Sequence, residues 1–541
     1  MRSLSLIRAR VALALAAIAS TCSFAGAATC GPVSPARAAG TAPDACDVVV
    51  VIDGAAKLAS TEAGRGTLRV LEEMGLFADT SIAWAELASA LGMTPMGALE
   101  AVAGSRTMLM ATRQTTQSPA GWALLTEVSG ETERLIRARL KPVPRQIVDG
   151  QPVLMLENGR FLLATRRDSS RSGADRDSNR KERRTTGAAV LVAPADSPAL
   201  FEACLPILTG KPAPHPIEAD ADSSRALDDH PYDAFILYRA RVSAEPDSSR
   251  TLASVGATAG AASGPGAWTT AISCAPSFIG DADRVRRSRI HGPLFRAMSD
   301  GAIIAIGAPV SDAREQGTTF ARTFYRFLSD VAPLFEGSGV VAVRGGNNPI
   351  SKPGSEILIA ATLKDRDDIA GAIDAGMASL INRLSRAELA GVDAQDFGGH
   401  FPGAVREATL TARSLSFLTP LIGPAPVARW CAIGLDNPSS PGWWLLSIAD
   451  AAAPSGTRTL RTVGATLAPD ADGHATDWWT TVGIVRPAQA IAAAPPVLAT
   501  LIRPLSPLHW VQSIEWHAAI EPDGLVRGQS LIEFRAEAVA E

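Results

Sequence analysis

Cysteine, histidine and tyrosine are scarce in this chain of 541 residues, which holds six, seven and three of them. There is no C-x-x-C pair, so the sequence gives no support to a zinc ribbon or a thioredoxin-type site. It also lacks a P-loop, a dinucleotide fingerprint, a G-x-S-x-G elbow, an H-E-x-x-H pair and an EF-hand loop. We therefore predict no catalytic residue, no metal site and no cofactor, and we favour a binding or structural protein over an enzyme. A hydrolase with an unrecognised site is an alternative.

Charged residues make up 20% of the chain and hydrophobic residues 46%, values typical of a globular protein. The length indicates more than one domain. The formal net charge is −4. An acidic balance of this kind argues against nucleic acid as the main partner.

The N-terminus has the layout of a secretory signal peptide. Three arginines precede an unbroken apolar run at residues 11–19, and a small-residue cleavage site follows at residues 25–27. The apolar run is about 14 Å long as a helix, well short of the ~30 Å hydrocarbon core of a bilayer. We predict that residues 1–27 direct export to the periplasm or cell envelope, or secretion. Contact with a membrane is expected only if this segment is retained as an anchor.

Export changes how the charge and the cysteines are interpreted. Cleavage after residue 27 removes three arginines and no acidic residue, so the formal charge becomes −7 instead of −4. Cleavage also removes Cys22 and leaves five cysteines, an odd number. Cys30 and Cys46 flank a short Pro/Ala-rich tether at residues 28–46 and are candidates for a disulfide bond.

The remaining chain alternates strands with single helices, which predicts an α+β fold of mostly antiparallel, meandering sheets with helices packed on them. We predict two lobes, an N-terminal lobe at residues 47–210 and a C-terminal lobe at residues 232–541, joined by a linker at residues 211–231. The strand–cap–helix unit at residues 356–384 resembles the one at residues 122–140. This resemblance indicates a duplicated unit.

Segments with few apolar residues interrupt the two lobes. Residues 166–186 form a basic stretch with seven arginines, and residues 244–266 are rich in Ala, Ser, Gly and Thr. Neither segment can bury enough apolar surface to offset its ordering entropy, so we predict disordered loops. The basic stretch has no interleaved aromatic residue, which favours a solvated loop over a nucleic-acid site.

Tryptophan carries the strongest hint of a binding site. Seven of the ten tryptophans lie from residue 430 onward, and two adjacent pairs occur in predicted strands. The pairs are Trp443–Trp444 and Trp478–Trp479. Neighbours on a strand point to opposite faces, so both members of a pair are buried only if the sheet is covered on both sides. We favour core packing, and the alternative is an exposed ring that binds carbohydrate or a partner protein of the envelope.

Two polar clusters complete the set of candidates. Glu515 and His517 share one face of a predicted strand, where a surface or packing pair is favoured over an acid–base or metal role. The acidic stretch at residues 470–477 resembles a calcium loop but lacks the closing glutamate. Trp510 and Trp516 have the same parity along their predicted strand, which suits a core.

The region from Val48 to about Leu208 resembles a family of exported bacterial proteins classed as domain of unknown function 3352. The residues that carry the likeness are the segments at 84–87, 90–93, 122–128 and 131–133, the hairpin at 149–153, and the closing strand pair at 510–534 with Gly524 and Gly528. These motifs are turns, caps and core residues. The basic stretch departs from the family's pattern. The resemblance implies an exported α+β protein and assigns no catalytic residue.

Overall fold

The computed structural model describes about three fifths of the chain. The described residues are 34–54, 58, 61–74, 89, 92–94, 101, 106–112, 120–148, 151–156, 160–167, 187–227, 230, 232–241, 250–259, 266–279, 282–309, 330–345, 356–364, 368–385, 393–395, 405–409, 422, 425–433, 442–450, 460, 463, 478–493 and 503–536. The predicted signal peptide, Cys30, the calcium-like stretch at 470–477 and most of the basic stretch at 166–186 lie outside these residues.

The structure is a mixture of helices and mostly antiparallel strands, which confirms the predicted α+β class at this level. The chain divides into two compact units, one of residues 1–275 with 531–541 and one of residues 276–530. This division lies well beyond the predicted linker at residues 211–231.

The first unit is built on an antiparallel sheet. Its helices are α1 Pro35–Gly40, α2 Glu62–Glu73, α3 Gly130–Leu140, α4 Pro198–Leu208 and α5 Ala221–Arg225. Its strands are β1 Val48–Asp53, β2 Arg106–Thr112, β3 Gly121–Ser129, β4 Val143–Val148, β5 Gln151–Leu156, β6 Phe161–Arg167, β7 Gly187–Pro194, β8 Ala234–Arg241, β9 Arg250–Ala259 and β10 Ala267–Cys274. Their pairings give the order β10-β9-β8-β1-β2-β3-β7-β6-β5-β4.

The main core of the first unit lies between this sheet and helices α1 and α4. Alternate residues of β1 and β2, such as Val49 and Met110, point into it, while α4 contributes Phe201, Cys204 and Leu205. The period-2 pattern of the strands and the helical spacing in α4 therefore converge on one apolar layer.

Three segments that the sequence predicts to be a tether, a linker and a disordered loop contain ordered structure. Residues 34–46 of the tether form α1 and contribute buried small residues to the core. Residues 217–225 of the linker form a 3-10 turn and α5, with Ile217 fully buried. Residues 250–259 of the predicted disordered loop form β9, which pairs with both β8 and β10. Composition understated the order because small side chains pack closely here and neighbouring segments satisfy their backbone groups.

A buried arginine ties two of these segments to the sheet. The side chain of Arg239 on β8 is only 3% exposed, and its guanidinium donates to Asp44 at 2.6 Å and to Asp220 at 3.2 Å. Asp44 belongs to the tether, and Asp220 caps α5. One cation therefore anchors both segments.

Arg239→Met should lower the free energy of unfolding by about 1–2 kcal/mol, because the loss of a charged hydrogen-bonding hub is moderated by rehydration of the two half-exposed carboxylates. Urea unfolding measures the change, and hydrogen exchange of residues 38–46 should speed up. The matched control is Arg286→Met, which removes an exposed ion pair with Asp283 and should change stability by less than about 0.5 kcal/mol. Equal effects of the two variants would contradict the anchoring role.

The second unit has its own antiparallel sheet. Its helices are α6 Pro276–Ile279, α7 Ala282–Arg287, α8 Gly292–Ser299, α9 Ile369–Ser385 and α10 Pro487–Ala493, with 3-10 turns at Ala332–Leu334 and Arg503–Trp510. Its strands are β11 Ile290–His291, β12 Ala302–Pro309, β13 Phe335–Arg344, β14 Glu356–Leu363, β15 Asp393–Gln395, β16 Val405–Thr409, β17 Pro426–Ile433, β18 Trp443–Asp450, β19 Trp478–Trp479, β20 Thr481–Val485 and β21 Val511–Ile520, and β22 Val526–Phe534 follows.

The pairings within the second unit give the order β21-β20-β12-β13-β14-β18-β17-β16-β15. Apolar layers cover both faces of its centre. Helix α9 contributes Ile373 and Met377 to one layer, and α8 contributes Leu294 and Phe295 to the other. Every side chain of β18, at the centre of this sheet, is therefore buried whichever way it points.

Candidate binding site

The first tryptophan pair lies in the core. Trp443 is 2% exposed and Trp444 is fully buried, and β18, which carries both, runs between β14 and β17. Trp443 points into the α8 layer and Trp444 into the α9 layer, where its ring lies 5.0 Å from that of Phe335. Neither Trp443 nor Trp444 presents the exposed ring that the binding alternative requires, because both faces of their strand are covered.

The second pair has a different setting. Trp478 and Trp479 form the two-residue strand β19, which pairs only with β11 among the described strands: Trp478 lies opposite His291 and Trp479 opposite Ile290. Both tryptophans are half-buried. Trp479 packs on the edge of the α8 core, so one part of its ring is supported and another part remains accessible.

Histidine and arginine side chains surround this pair. The ring centroids of Trp478 and His291 are 5.1 Å apart, and those of Trp479 and His517 are 5.8 Å apart. The guanidinium carbon of Arg296 lies 5.8 Å from the centre of a Trp479 ring, within the range of a cation–π contact. We call Trp478, Trp479, His291, Arg296 and His517 the aromatic patch.

Packing under the patch holds Trp479 in place. Phe295, which is buried on α8, meets the Trp479 ring edge-on, with centroids 6.1 Å apart and planes at 83°. The next residue, Arg296, is exposed on the same short helix. Helix α8 therefore supplies both the apolar support and the cation, and strand β21 supplies the exposed His517.

The other residues that the sequence suggested lie on β21 and in the 3-10 turn that precedes it, and one of them, His517, belongs to the aromatic patch. Glu515 and His517 are both exposed on β21, as predicted for a surface pair. Trp516 points to the opposite side of the strand, and its indole N–H donates to the Thr481 hydroxyl at 3.4 Å. Trp510 ends a 3-10 turn rather than lying in a strand. Trp510 and Trp516 are half-buried, so the prediction that they face a core together is not confirmed.

His291 and Arg296 are patch residues that sequence reasoning missed. The sequence places His291 in loop-like surroundings, and its pairing with Trp478 joins segments nearly 190 positions apart. The sequence does contain a local signal for α8. The apolar periodicity of a short helix places Phe295 on its buried side and Arg296, one residue later, on its exposed side.

The thiols of two buried cysteines, Cys274 and Cys431, are poorly reactive. Burial raises the pKa of the Cys274 thiol to about 11 and that of Cys431 to about 12. Both thiols are therefore protonated at neutral pH and are poor nucleophiles. Cys46 of the predicted Cys30–Cys46 pair is buried in the first unit.

Within the described ranges, no group of three or more His, Cys, Asp or Glu side chains is placed to hold a metal ion. No helix in those ranges has the length and apolar character needed to cross a membrane.

Comparison with known proteins found no match for this chain among protein-family models, curated proteins or solved structures.

Proposed function

We propose that this chain is an exported, non-enzymatic protein of the cell envelope that binds carbohydrate through the aromatic patch of its second unit. The observation that carries the proposal is the half-buried Trp479 ring, held from below by Phe295 and flanked by Arg296 and His517. The N-terminal layout of a signal peptide supports export.

The composition of the patch favours a sugar. A flat indole offers an apolar surface that matches one face of a pyranose ring, and it is preorganised because its packing fixes its orientation. The neighbouring guanidinium and imidazole groups supply hydrogen-bond donors for hydroxyl groups around the ring. A short peptide is the second candidate ligand, because the same cation and aromatic rings can take a carboxylate and an apolar side chain.

A titration with soluble N-acetylglucosamine oligomers and, separately, with a peptidoglycan stem tetrapeptide tests the proposal. We expect the oligomers to quench or shift tryptophan fluorescence with a saturable isotherm. Trp479→Ala should weaken binding by at least about 10-fold, since a central tryptophan in a binding site contributes about 2 kcal/mol or more. Arg296→Gln, an exposed change, should weaken it less.

The control is Trp122→Ala in the first unit, which also removes a half-buried tryptophan beside an aromatic ring, Phe161. This variant should bind as the wild type does. Saturable binding of the tetrapeptide alone would favour the peptide alternative. Binding of neither probe, or equal losses in Trp479→Ala and Trp122→Ala, would contradict the proposed patch.

We also propose that the two units are a duplication of one fold. What supports it is the strand order. When the edge strand β10 of the first sheet and the two-residue strands β11 and β19 are left out, the strands numbered along each unit follow the order 9-8-1-2-3-7-6-5-4 in both sheets. In each unit the third strand leads into a helix, β3 into α3 and β14 into α9. This is the strand–helix repeat that the sequence indicates. An experimental structure with different strand orders in the two units would contradict it.

A further inference from the structure

Two cysteines share the main core of the first unit. Cys46, at the end of the tether, and Cys204, on α4, are both fully buried, although 158 positions separate them. Both lie beside β2, since Asp47, the residue after Cys46, donates its backbone N–H to the carbonyl of Ala111 at 2.9 Å. The Cys204 thiol lies 3.5 Å from the sulfur of Met110, and Met110 pairs with Val49, three residues after Cys46.

The pKa of the Cys204 thiol is also consistent with a position near Cys46. Burial raises the pKa of Cys204 well above its ordinary value, and the neighbouring Cys46 raises it further. The second effect operates only between groups that lie near each other. Cys274 and Cys431, by comparison, are shifted by burial alone.

Backbone hydrogen bonds fix the segment that carries Cys46. The Asp44 N–H donates to the carbonyl of His215 at 2.7 Å, and the Ile217 N–H donates to the carbonyl of Ala42 at 2.9 Å. The Cys46 N–H donates to Pro43 at 2.9 Å, closing a turn immediately before β1. Because backbone hydrogen bonds hold this turn to residues 215–217 and β1 follows it directly, the Cys46 side chain has a defined position in the core.

We propose that Cys46 and Cys204 form a disulfide bond in the exported protein, so that Cys46 pairs across the core of the first unit and not with Cys30. The proposal rests on the export half of the proposed function and is independent of the aromatic patch. The bond would join the tether to α4 and close a loop of more than 150 residues, a length for which a cross-link removes much conformational freedom from the unfolded chain.

The oxidation is a pair of thiol–disulfide exchanges with an exported oxidoreductase that carries a reactive disulfide. The thiolate of one cysteine attacks that disulfide, forms a mixed disulfide and releases one oxidoreductase thiolate. The thiolate of the second cysteine then attacks the sulfur of the first, the Cys46–Cys204 bond forms, and the second oxidoreductase sulfur leaves. Both protons and both electrons end on the oxidoreductase, which departs as a dithiol.

This exchange must precede closure of the core. In the folded chain both sulfur atoms are shielded from solvent, and the raised pKa of Cys204 keeps its thiol protonated. A buried thiol reacts slowly with any protein oxidant. Once formed, the bond should for the same reason resist reduction until the first unit unfolds.

A tryptic map of the full chain, expressed with its own N-terminal segment and taken from the periplasmic fraction of a bacterial host, tests the pairing. The protein is alkylated in denaturant without reductant. Trypsin separates the relevant cysteines into peptides of residues 11–37, 38–57 and 185–225. Removal of residues 1–27 shortens the first of these, called peptide 11–37 throughout, to residues 28–37. We expect peptide 38–57 linked to peptide 185–225, with Cys274 and Cys431 alkylated as buried controls.

A parallel refolding of the reduced chain in oxidised and reduced glutathione separates failure of the pairing from failure of export. There the oxidised glutathione accepts the electrons, and the same linked peptide should form. A mature N-terminus beyond residue 27 in the periplasmic sample reports export independently. Linkage of peptide 38–57 to peptide 11–37, or alkylation of both Cys46 and Cys204 in the refolded chain, would overturn the proposal.

The stability of the two redox forms gives a second readout. Wild-type protein refolded oxidised should have a Tm higher by on the order of 10 °C than the same protein refolded reduced. Cys46→Ser should abolish this difference, whereas Cys274→Ser should retain it. A redox difference that survives Cys46→Ser would contradict the pairing.

Discussion

Trp444→Ala is expected to lower the free energy of unfolding by about 3–5 kcal/mol. The ring is fully buried in the α9 layer against Phe335. Removing it leaves a cavity in the middle of a sheet whose neighbouring strands cannot collapse inward. Urea unfolding followed by circular dichroism measures the loss.

The variant Trp444→Phe tests whether the loss of stability comes from the lost packing of the ring. The Trp444 indole nitrogen is buried and has no hydrogen-bond partner in the described part of the structure. Replacing tryptophan with phenylalanine therefore removes an unsatisfied donor while it keeps most of the ring, and the cost should stay below about 1.5 kcal/mol. A loss in Trp444→Phe as large as that in Trp444→Ala would contradict the core assignment.

Gly528→Ala should destabilise the protein by about 3 kcal/mol. A Cβ atom at Gly528 on β22 would lie 2.0 Å from the carbonyl oxygen of His517 and 2.6 Å from the Cα atom of Ala518. Both are backbone atoms of β21, so no side-chain rotation can relieve the overlap, and the strands must separate. Because His517 belongs to the aromatic patch, the same change should also weaken ligand binding.

The matched control for this prediction is Gly524→Ala in the preceding turn. Gly524 has a φ of 83°, and a Cβ atom there would meet nothing within 4 Å. The cost should be about 1 kcal/mol, the penalty of a left-handed backbone for an L-residue. Thermal or urea unfolding of the two variants decides the point, and a larger loss at Gly524 than at Gly528 would contradict the close approach of β21 and β22.

Local sequence signals predicted individual elements well. The β-branched run at Val48 and the apolar run at Glu356 are strands β1 and β14, and the predicted hairpin corresponds to β4 and β5, which pair with Val148 opposite Gln151. In each case neighbouring residues decide the structure through side-chain alternation or turn chemistry. Segments rich in Ala, Ser and Pro were predicted less well, because their order depends on partners such as Arg239 that are distant in sequence.

The aromatic patch illustrates what local sequence signals do not encode. Trp443–Trp444 and Trp478–Trp479 are the same dipeptide in predicted strands, yet the first pair is core and the second is half-buried. The difference is that β18 lies in the middle of a sheet covered on both faces, while β19 pairs with the two-residue strand β11. Strand neighbours of this kind are set by long-range pairing, which alternation along one strand does not encode.

The measurement that tests the central claim most directly is ¹⁹F NMR of protein labelled with fluorotryptophan, titrated with soluble N-acetylglucosamine oligomers. Each of the ten tryptophans gives its own signal, assigned by single Trp→Phe changes. We predict that the signals of Trp478 and Trp479 shift with a common saturation curve while those of Trp443 and Trp444 stay in place. Saturable shifts confined to tryptophans outside the aromatic patch, or no shift at any tryptophan, would contradict it.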